Sequence, residues 1–325
     1  MRYYSIVLTS PDGKTTKQWT SYPSAKGSSP TGGFDPGALN VAFDLPMAPY
    51  NTVIGNKAIT IEGVSLDDLY QAKQLTGWSV ELSGGMGAGL PLAKPSQAGI
   101  LMVGTVFQAY GNWQGTDMVL ELIVTPSPYQ HGSGKSFVFG WPAGTSLKTA
   151  LSNLFATYFK EYTPQIKIGD YVLNHDEFGI YGSLEALARS VYDWTQQQVK
   201  IAIIGSRIVA YDGTEPPPTV QIEFTDLIGQ PVWIEPYTMQ IKCVMRADIN
   251  LDSVIEMPQS LGGTKVQSIP GLAIQSEKAA PSLIKYKSAF QHKFNVTAVR
   301  HIGEFRSPES VDWITIISAV ESGHA

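Results

Sequence analysis

The segment His131-Gly132-Ser133-Gly134-Lys135-Ser136 ends in the Gly-Lys-Ser of a phosphate-binding loop. In that motif backbone N–H groups and the lysine cradle a nucleotide's phosphates, and an earlier glycine makes the turn. The spacing requires that glycine at position 129, where the chain has Tyr129. No strong strand leads into the segment and no helix starts directly after it, so nucleotide binding is not expected. His175-Asp176-Glu177 groups three side chains that can bind a metal. Neighbours in an extended segment point in different directions, so a polar turn is the better reading. His301 and Glu304 have no helical partner pattern and fall in an expected turn. Cys243 is the single cysteine, and with scattered histidines it forms no thiol triad. There is no Gly-x-Ser-x-Gly elbow for a serine nucleophile. Asp67-Asp68 reads as helix-cap charge before it reads as a glycosidase pair. A hydrolase whose two carboxylates lie far apart in sequence stays open, although nothing points to one. The sequence therefore names no catalytic residue, no cofactor-binding residue, no metal ligand and no cofactor, and an enzyme is not expected.

Composition sets the outer limits. With 325 residues, of which 43% are hydrophobic and 16% charged, the chain can bury a substantial core in two or three domains. Its 31 glycines and 21 prolines favour short strands and turns over long helices. One cysteine rules out an internal disulfide framework and fits folding in a reducing cytoplasm. The net charge of -5 comes without a basic block, which argues against gripping nucleic acid by its phosphates. It leaves room for nucleic acid that slides past. No apolar run approaches the roughly 20 residues of a membrane span, and the N-terminus resembles a strand and turn more than a signal peptide.

The elements follow from pattern. Arg2 to Ser10, Leu39 to Leu45 and Ala58 to Glu62 read as strands, with a loop over residues 20–37. Ser65 caps a helix that Gly77 ends, with Leu66, Leu69, Tyr70 and Lys73 on one face. Trp78 to Leu82 is a strand, and residues 83–99 form a Gly- and Pro-rich loop. Ile100 to Tyr110 and Met118 to Val124 form a hairpin, with Gly111 and Asn112 among the residues that break it. Both of its strands carry large apolar residues on both faces, so the hairpin is expected to be covered on both sides.

A linker follows Thr125. Helices are expected from Leu147 to about Phe159 and after a Ser183 cap. A strand is expected from Ile166 to Leu173, and a hairpin from Val199–Ile204 to Arg207–Tyr211. Asp212 to Pro218 cannot continue a helix or a central strand. Beyond it come strands at Val220–Phe224, Val232–Ile234, Met239–Met245 and Val254–Met257, then a loop over 259–282. Lys287–Val299 and Val311–Val320 are the last strands.

The runs FDPGALNVAFDLPMAPY and ITIEGVSLDDLYQAKQLTGWSVELSGGMGAGLPLAKPSQAGILMVGTVFQAYGNWQGTDMVLELIV resemble the N-terminal part of baseplate hub proteins of contractile-tailed bacteriophages. MQIKCVMRADINLDSVIEMPQSL and RHIGEFRSPESVDWITIISAV resemble their C-terminal part. The resemblance implies a mainly β chain, α+β overall: two tail-tube-like antiparallel β-barrel modules at 1–126 and 219–325, with a small α+β domain at 127–218 between them. It implies a homotrimer at the end of the tail tube, and as partners the tail tube protein and the central spike protein. Baseplate wedge and tape-measure proteins are further candidates, and DNA would pass through without specific binding. It places the protein in the virion, at the tail baseplate, after assembly in the cytoplasm of an infected bacterium. No catalytic residues belong to the pattern, and no fused lysozyme or peptidase domain is expected.

An internal similarity points the same way. VGTVFQAYGNWQGTDMVLELIV and FNVTAVRHIGEFRSPESVDWITIISAV each hold a β-rich strand, a glycine (Gly111, Gly303), an aromatic two residues on (Trp113, Phe305), and a closing apolar strand. The openings ITIEG at Ile59 and VQIEF at Val220 are expected to correspond. Two rivals stay open: a receptor- or carbohydrate-binding tail protein, and a cell-wall hydrolase. Trp113, Trp141, Trp194, Trp233 and Trp313 are scattered, which does not favour the first.

Overall fold

A computed structural model describes residues 2–23, 33–52, 56–87, 97–127, 129, 134–258 and 293–322. The first stretch runs β1 (Arg2–Thr9), β2 (Thr16–Thr20), β3 (Asn40–Met47), β4 (Lys57–Glu62), α1 (Leu66–Tyr70), β5 (Ser79–Met86), β6 (Gly99–Gln114) and β7 (Asp117–Thr125). The middle stretch runs β8 (Phe137–Trp141), α2 (Leu147–Tyr158), β9 (Thr163–Lys167), β10 (Glu177–Tyr181), α3 (Leu184–Trp194), β11 (Lys200–Ile204) and β12 (Arg207–Tyr211). The last runs β13 (Thr219–Gln221), β14 (Val232–Trp233), β15 (Thr238–Val244), β16 (Val254–Glu256), β17 (Lys293–Glu304) and β18 (Trp313–Glu321).

The chain is mostly β, with one large sheet shared by its first and last stretches. Its path is β14-β15-β18-β17-β3-β4-β7-β6-β5-β1-β2, with β16 on the other part of the β17 edge and β13 beside β16. Among the described residues this path is open, and no pairing closes either half into a barrel. The junction is β17 with β3, from Val299 opposite Met47 to Glu304 opposite Ala42. Pro46 lies in this junction without harm, since the ladder of β3 with β4 ends at Asp44 and asks no N–H of it. The junction mixes the cores: Phe305 and Trp313 join the first stretch's cluster around Tyr4, Leu45 and Leu122, and Met47 joins the last stretch's cluster around Ile241 and Ile317. Arg2 and Arg306 tie it further. Arg2 donates to the Glu304 carbonyl at 2.6 Å, and the Arg306 side chain reaches the Pro36 carbonyl at 3.1 Å.

Several expectations change. The β6–β7 hairpin is longer than expected, since Gly111 and Asn112 stay in β6 and the turn falls at Gly115, whose φ of +62° suits glycine. Leu101 and Val106 face the first core and Val103 packs on the middle one, but the expected cover on both sides is only partial, since Phe107, Tyr110 and Trp113 are exposed. The helix after Ser65 turns 3-10 from Ala72 to Leu75, which rotates its apolar face. Ala72 and Leu75 are buried in place of the expected stripe, and Leu66 and Tyr70 are exposed. The strand expected at Ile166–Leu173 ends at Lys167, while β2, β8 and β10 carry too weak an alternation to be seen. The loop expected at 259–282 and the start of the strand expected at Lys287 lie outside the described residues.

The middle stretch has its own core. Leu147, Leu151, Leu154 and Phe155 of α2 and Leu184, Leu187, Ala188 and Val191 of α3 pack on Phe137, Phe139 and Trp141. Ser146 and Ser183 cap these helices through the N–H groups of Thr149 and Ala186, each cap worth about 1 kcal/mol. Tyr162 fastens the unit to the hairpin, its hydroxyl donating to the carbonyls of Val103 and Pro126.

Candidate functional site

The residues that could have done chemistry are apart and occupied. Asp176 accepts from the Ala143 N–H at 2.7 Å, and His175 meets Glu177 at 3.1 Å on the surface. Asp68 accepts from Ser65 and Lys17, the latter at 2.7 Å, so it is a cap charge and an ion pair. Residues 131–133 lie outside the described residues. Burial pushes the Cys243 thiol up to about 12, which leaves it unreactive. Among the described residues no cluster of His, Cys, Asp and Glu could hold a metal ion.

His301 and Glu304 are not in a turn; both lie in β17, because the strand continues to the junction with β3. His301 is buried, with Nδ1 at 2.9 Å from Thr315 Oγ1 on the paired strand. Burial and the nearby Lys57 hold its imidazole down at about 3, so it is neutral. Lys57 is itself buried, which lowers its ammonium to about 8. Sequence reasoning also missed Arg246. Its buried guanidinium donates to Asp226 and Asp248, each at 2.8 Å, and Asp226 also accepts from Gln97 at 3.3 Å. Asp248 is only two residues from Arg246, but no local motif marks the cluster, since Asp226 and Gln97 arrive from distant parts of the chain.

The organised feature of the chain is a repeated strand pattern. In the first stretch the order β3-β4-β7-β6-β5-β1 recurs in the last as β14-β15-β18-β17-β16-β13. Numbered along the chain with β2 left out, both orders are the same. The hairpins match in detail. Val106 pairs with Val124 and the register then shifts at Gln108; Val296 pairs with Ala319 and shifts at Ala298. Val106 donates to the Trp78 carbonyl and Val296 to the Ser253 carbonyl, at 2.8 and 3.0 Å. One strand departs, since β1 runs antiparallel to β5 while β13 runs parallel to β16.

This alignment corrects two correspondences. Aligning the bulges sets Gly111 against His301 and Trp113 against Gly303, in place of Gly111 against Gly303. The counterpart of β4 is β15, in place of the Val220 strand, because both lie beside the closing strand of their hairpin.

The pattern ends in two free edges. Beyond Val106, β6 pairs with β7 alone among the described residues, and β14 pairs with β15 alone. Phe107, Tyr110 and Trp113 on the first, and Val232 and Ile234 on the second, are exposed. Such edges accept further strands.

No protein-family model matches the sequence, and no curated protein matches it. Solved structures match over nearly the whole chain at low identity. A tail protein from Neisseria meningitidis MC58 is 10% identical, with a TM-score of 0.49 over 99% of this chain and 97% of that one. A 43 kDa tail protein of prophage MuSo2 from Shewanella oneidensis is 7% identical, with a TM-score of 0.49 over 98% of each. The E. coli c3393 protein, a type VI secretion component with structural similarity to the T4 tail proteins gp27 and gp5, is 8% identical. Its TM-score is 0.48 over 87% of this chain and 73% of that one.

Proposed function

We propose that the protein is the baseplate hub of a contractile phage tail, a homotrimer that joins the sixfold tail tube to the threefold central spike. The observation that carries this reading is the repeated strand order within one chain. Three copies of a chain with two like modules present six similar modules on one side and three chains on the other. Residues 1–126 and 219–325 are the two modules, and 127–218 tells them apart and breaks the sixfold symmetry. The tube protein and the spike are then its partners, with wedge and tape-measure proteins around them. DNA passes through the ring, whose mild negative charge and lack of a basic block avoid holding phosphates. The role is structural, without catalysis, in the virion tail.

Negative-stain imaging with light scattering tests this. A three-chain ring with a central hole is expected, alone or with a trimeric spike. A monomer in both conditions, or a particle without a hole, overturns it.

A further inference from the structure

The repeat has one junction inside the chain and leaves the matching surfaces of a second unpaired. The edge of β17 first carries β16 and then, from Val299 to Glu304, carries β3. The edge of β6 first carries β5 and then, beyond Val106, pairs with no further strand among the described residues, although α1 packs over Gly111. With the bulges aligned, Ala109 to Gln114 stand where Val299 to Glu304 stand in β17. The strand that fills this place in the chain is β3, and its counterpart in the repeat is β14. We infer that the free edge of β6 in one copy pairs antiparallel with β14 of a second copy, with Asn112 opposite Val232 and Gly111 opposite Trp233. The register is that of Ile302 opposite Asp44 and His301 opposite Leu45 at the internal junction. The number of copies in the ring rests on the hub reading; the pairing rests on the repeat.

The hydrogen-bonding phases of the two edges agree with this register. In an antiparallel ladder successive residues point their N–H and C=O groups to opposite sides. Gln114 and Asp117 flank the two-residue turn of the hairpin, so Gln114 bonds to β7, and Trp113, Gly111 and Ala109 aim theirs outward. On the other edge Ile234 donates inward to the Thr238 carbonyl at 3.0 Å, so Trp233 aims outward. The register sets outward Gly111 against outward Trp233, which completes the bonds of both. Asn112 and Val232, both bonded inward, become a pair without mutual hydrogen bonds, as the internal Ile302–Asp44 pair is by alternation from the Phe305 N–H bond to Val41.

The side chains also match. Tyr110 is set against Ile234 on the face that carries Val232, and these three are 42%, 49% and 56% exposed. Trp233, half-buried on Phe294, lies opposite Gly111, on the face where the Leu69 backbone of α1 packs, so its ring would meet α1 there. Pairing would cover an apolar set that otherwise stands at two open sheet edges.

Cysteine cross-linking tests the pairing and its register together. Cα atoms of such a non-bonded pair lie about 4.5 Å apart, within disulfide range. The double variant Asn112→Cys/Val232→Cys is compared with each single variant and with the slipped pair Asn112→Cys/Ile234→Cys. Buried Cys243 does not compete. Mild oxidation should convert the double variant into covalent trimers that reductant dissolves, with neither the singles nor the slipped pair doing so. Trimers that fail to cross-link, or that cross-link better through the slipped pair, overturn the pairing and leave the hub reading in place. A bond formed within one chain also overturns it. A chain that stays monomeric at the highest attainable concentration, with no cross-link, overturns the pairing and counts against the hub reading as well.

Discussion

Val106 and Val296 hold the same position in two copies of one strand pattern. Each donates its N–H to the residue just before the next strand in the order, Val106 to Trp78 ahead of β5 and Val296 to Ser253 ahead of β16, and each is followed at once by a bulge. A bulge bends its strand and raises its twist. Here it marks where the edge leaves one neighbour, β5 or β16, and becomes available to another. In β17 that second neighbour is β3, which is how the two halves come to share one sheet.

Arg246 should be a point of failure. It is buried between Asp226 and Asp248, and its removal leaves the buried Asp226 carboxylate without a counter-charge, held only by the Gln97 amide and the Glu223 N–H. Arg246→Ala should lose about 3–5 kcal/mol of unfolding free energy, measured by urea titration. A loss under about 1 kcal/mol would mean that water reaches this cluster freely.

Lys57 should cost stability at neutral pH. Its amine is buried in the sheet, and burial holds its ammonium down at about 8 from 10.5. Between these values the unfolded chain holds a proton that the folded chain has released, so stability rises with pH across that window. Lys57→Met should raise the unfolding free energy from urea titration at pH 7 by on the order of 1–3 kcal/mol, and with it the urea midpoint, and abolish the rise above pH 8. A midpoint that falls at pH 7 would show that the amine has a partner worth more than its desolvation.

His301 sets an acid limb. Its folded value of about 3 lies below the 6.5 of a free imidazole. Below pH 6.5 the unfolded chain takes up a proton that the folded chain refuses. Stability therefore falls, by at most about 1.4 kcal/mol per pH unit from this group, until the pH reaches about 3. The imidazole C2–H resonance of His301 should not move between pH 8 and pH 5. A resonance that titrates near pH 6.5 would place the ring in water and refute this.

Purified peptidoglycan should survive the protein. Among the described residues no cluster of His, Cys, Asp and Glu could hold a hydrolytic metal ion, and the sequence carries no serine-nucleophile elbow. A zymogram should show no clearing; clearing abolished by one Asp or Glu substitution would establish a hydrolase.

Local rules account for what the sequence determined alone. Ser65, Ser146 and Ser183 each cap a helix because a side-chain oxygen near the first turn has N–H groups to accept from, whatever lies further away. The period-two alternation of NVAFDLPM and the apolar runs of the β6–β7 hairpin mark strands for the same reason. Which strands lie side by side was not legible at this level. Gly111 reads as a breaker, yet it stays in β6, where the Leu69 backbone packs closely over it. His301 reads as a turn residue, yet it is buried beside Thr315 because β17 runs on to meet β3. The bond of Arg246 to Asp226, the bond of Gln97 to the same carboxylate, and the pairing of residue 303 with residue 43 depend on long-range contacts that no window of sequence contains. Tertiary structure decided the shared sheet, the match between its two halves and the two edges left open, because strand pairing is fixed by burying both faces of each strand at once.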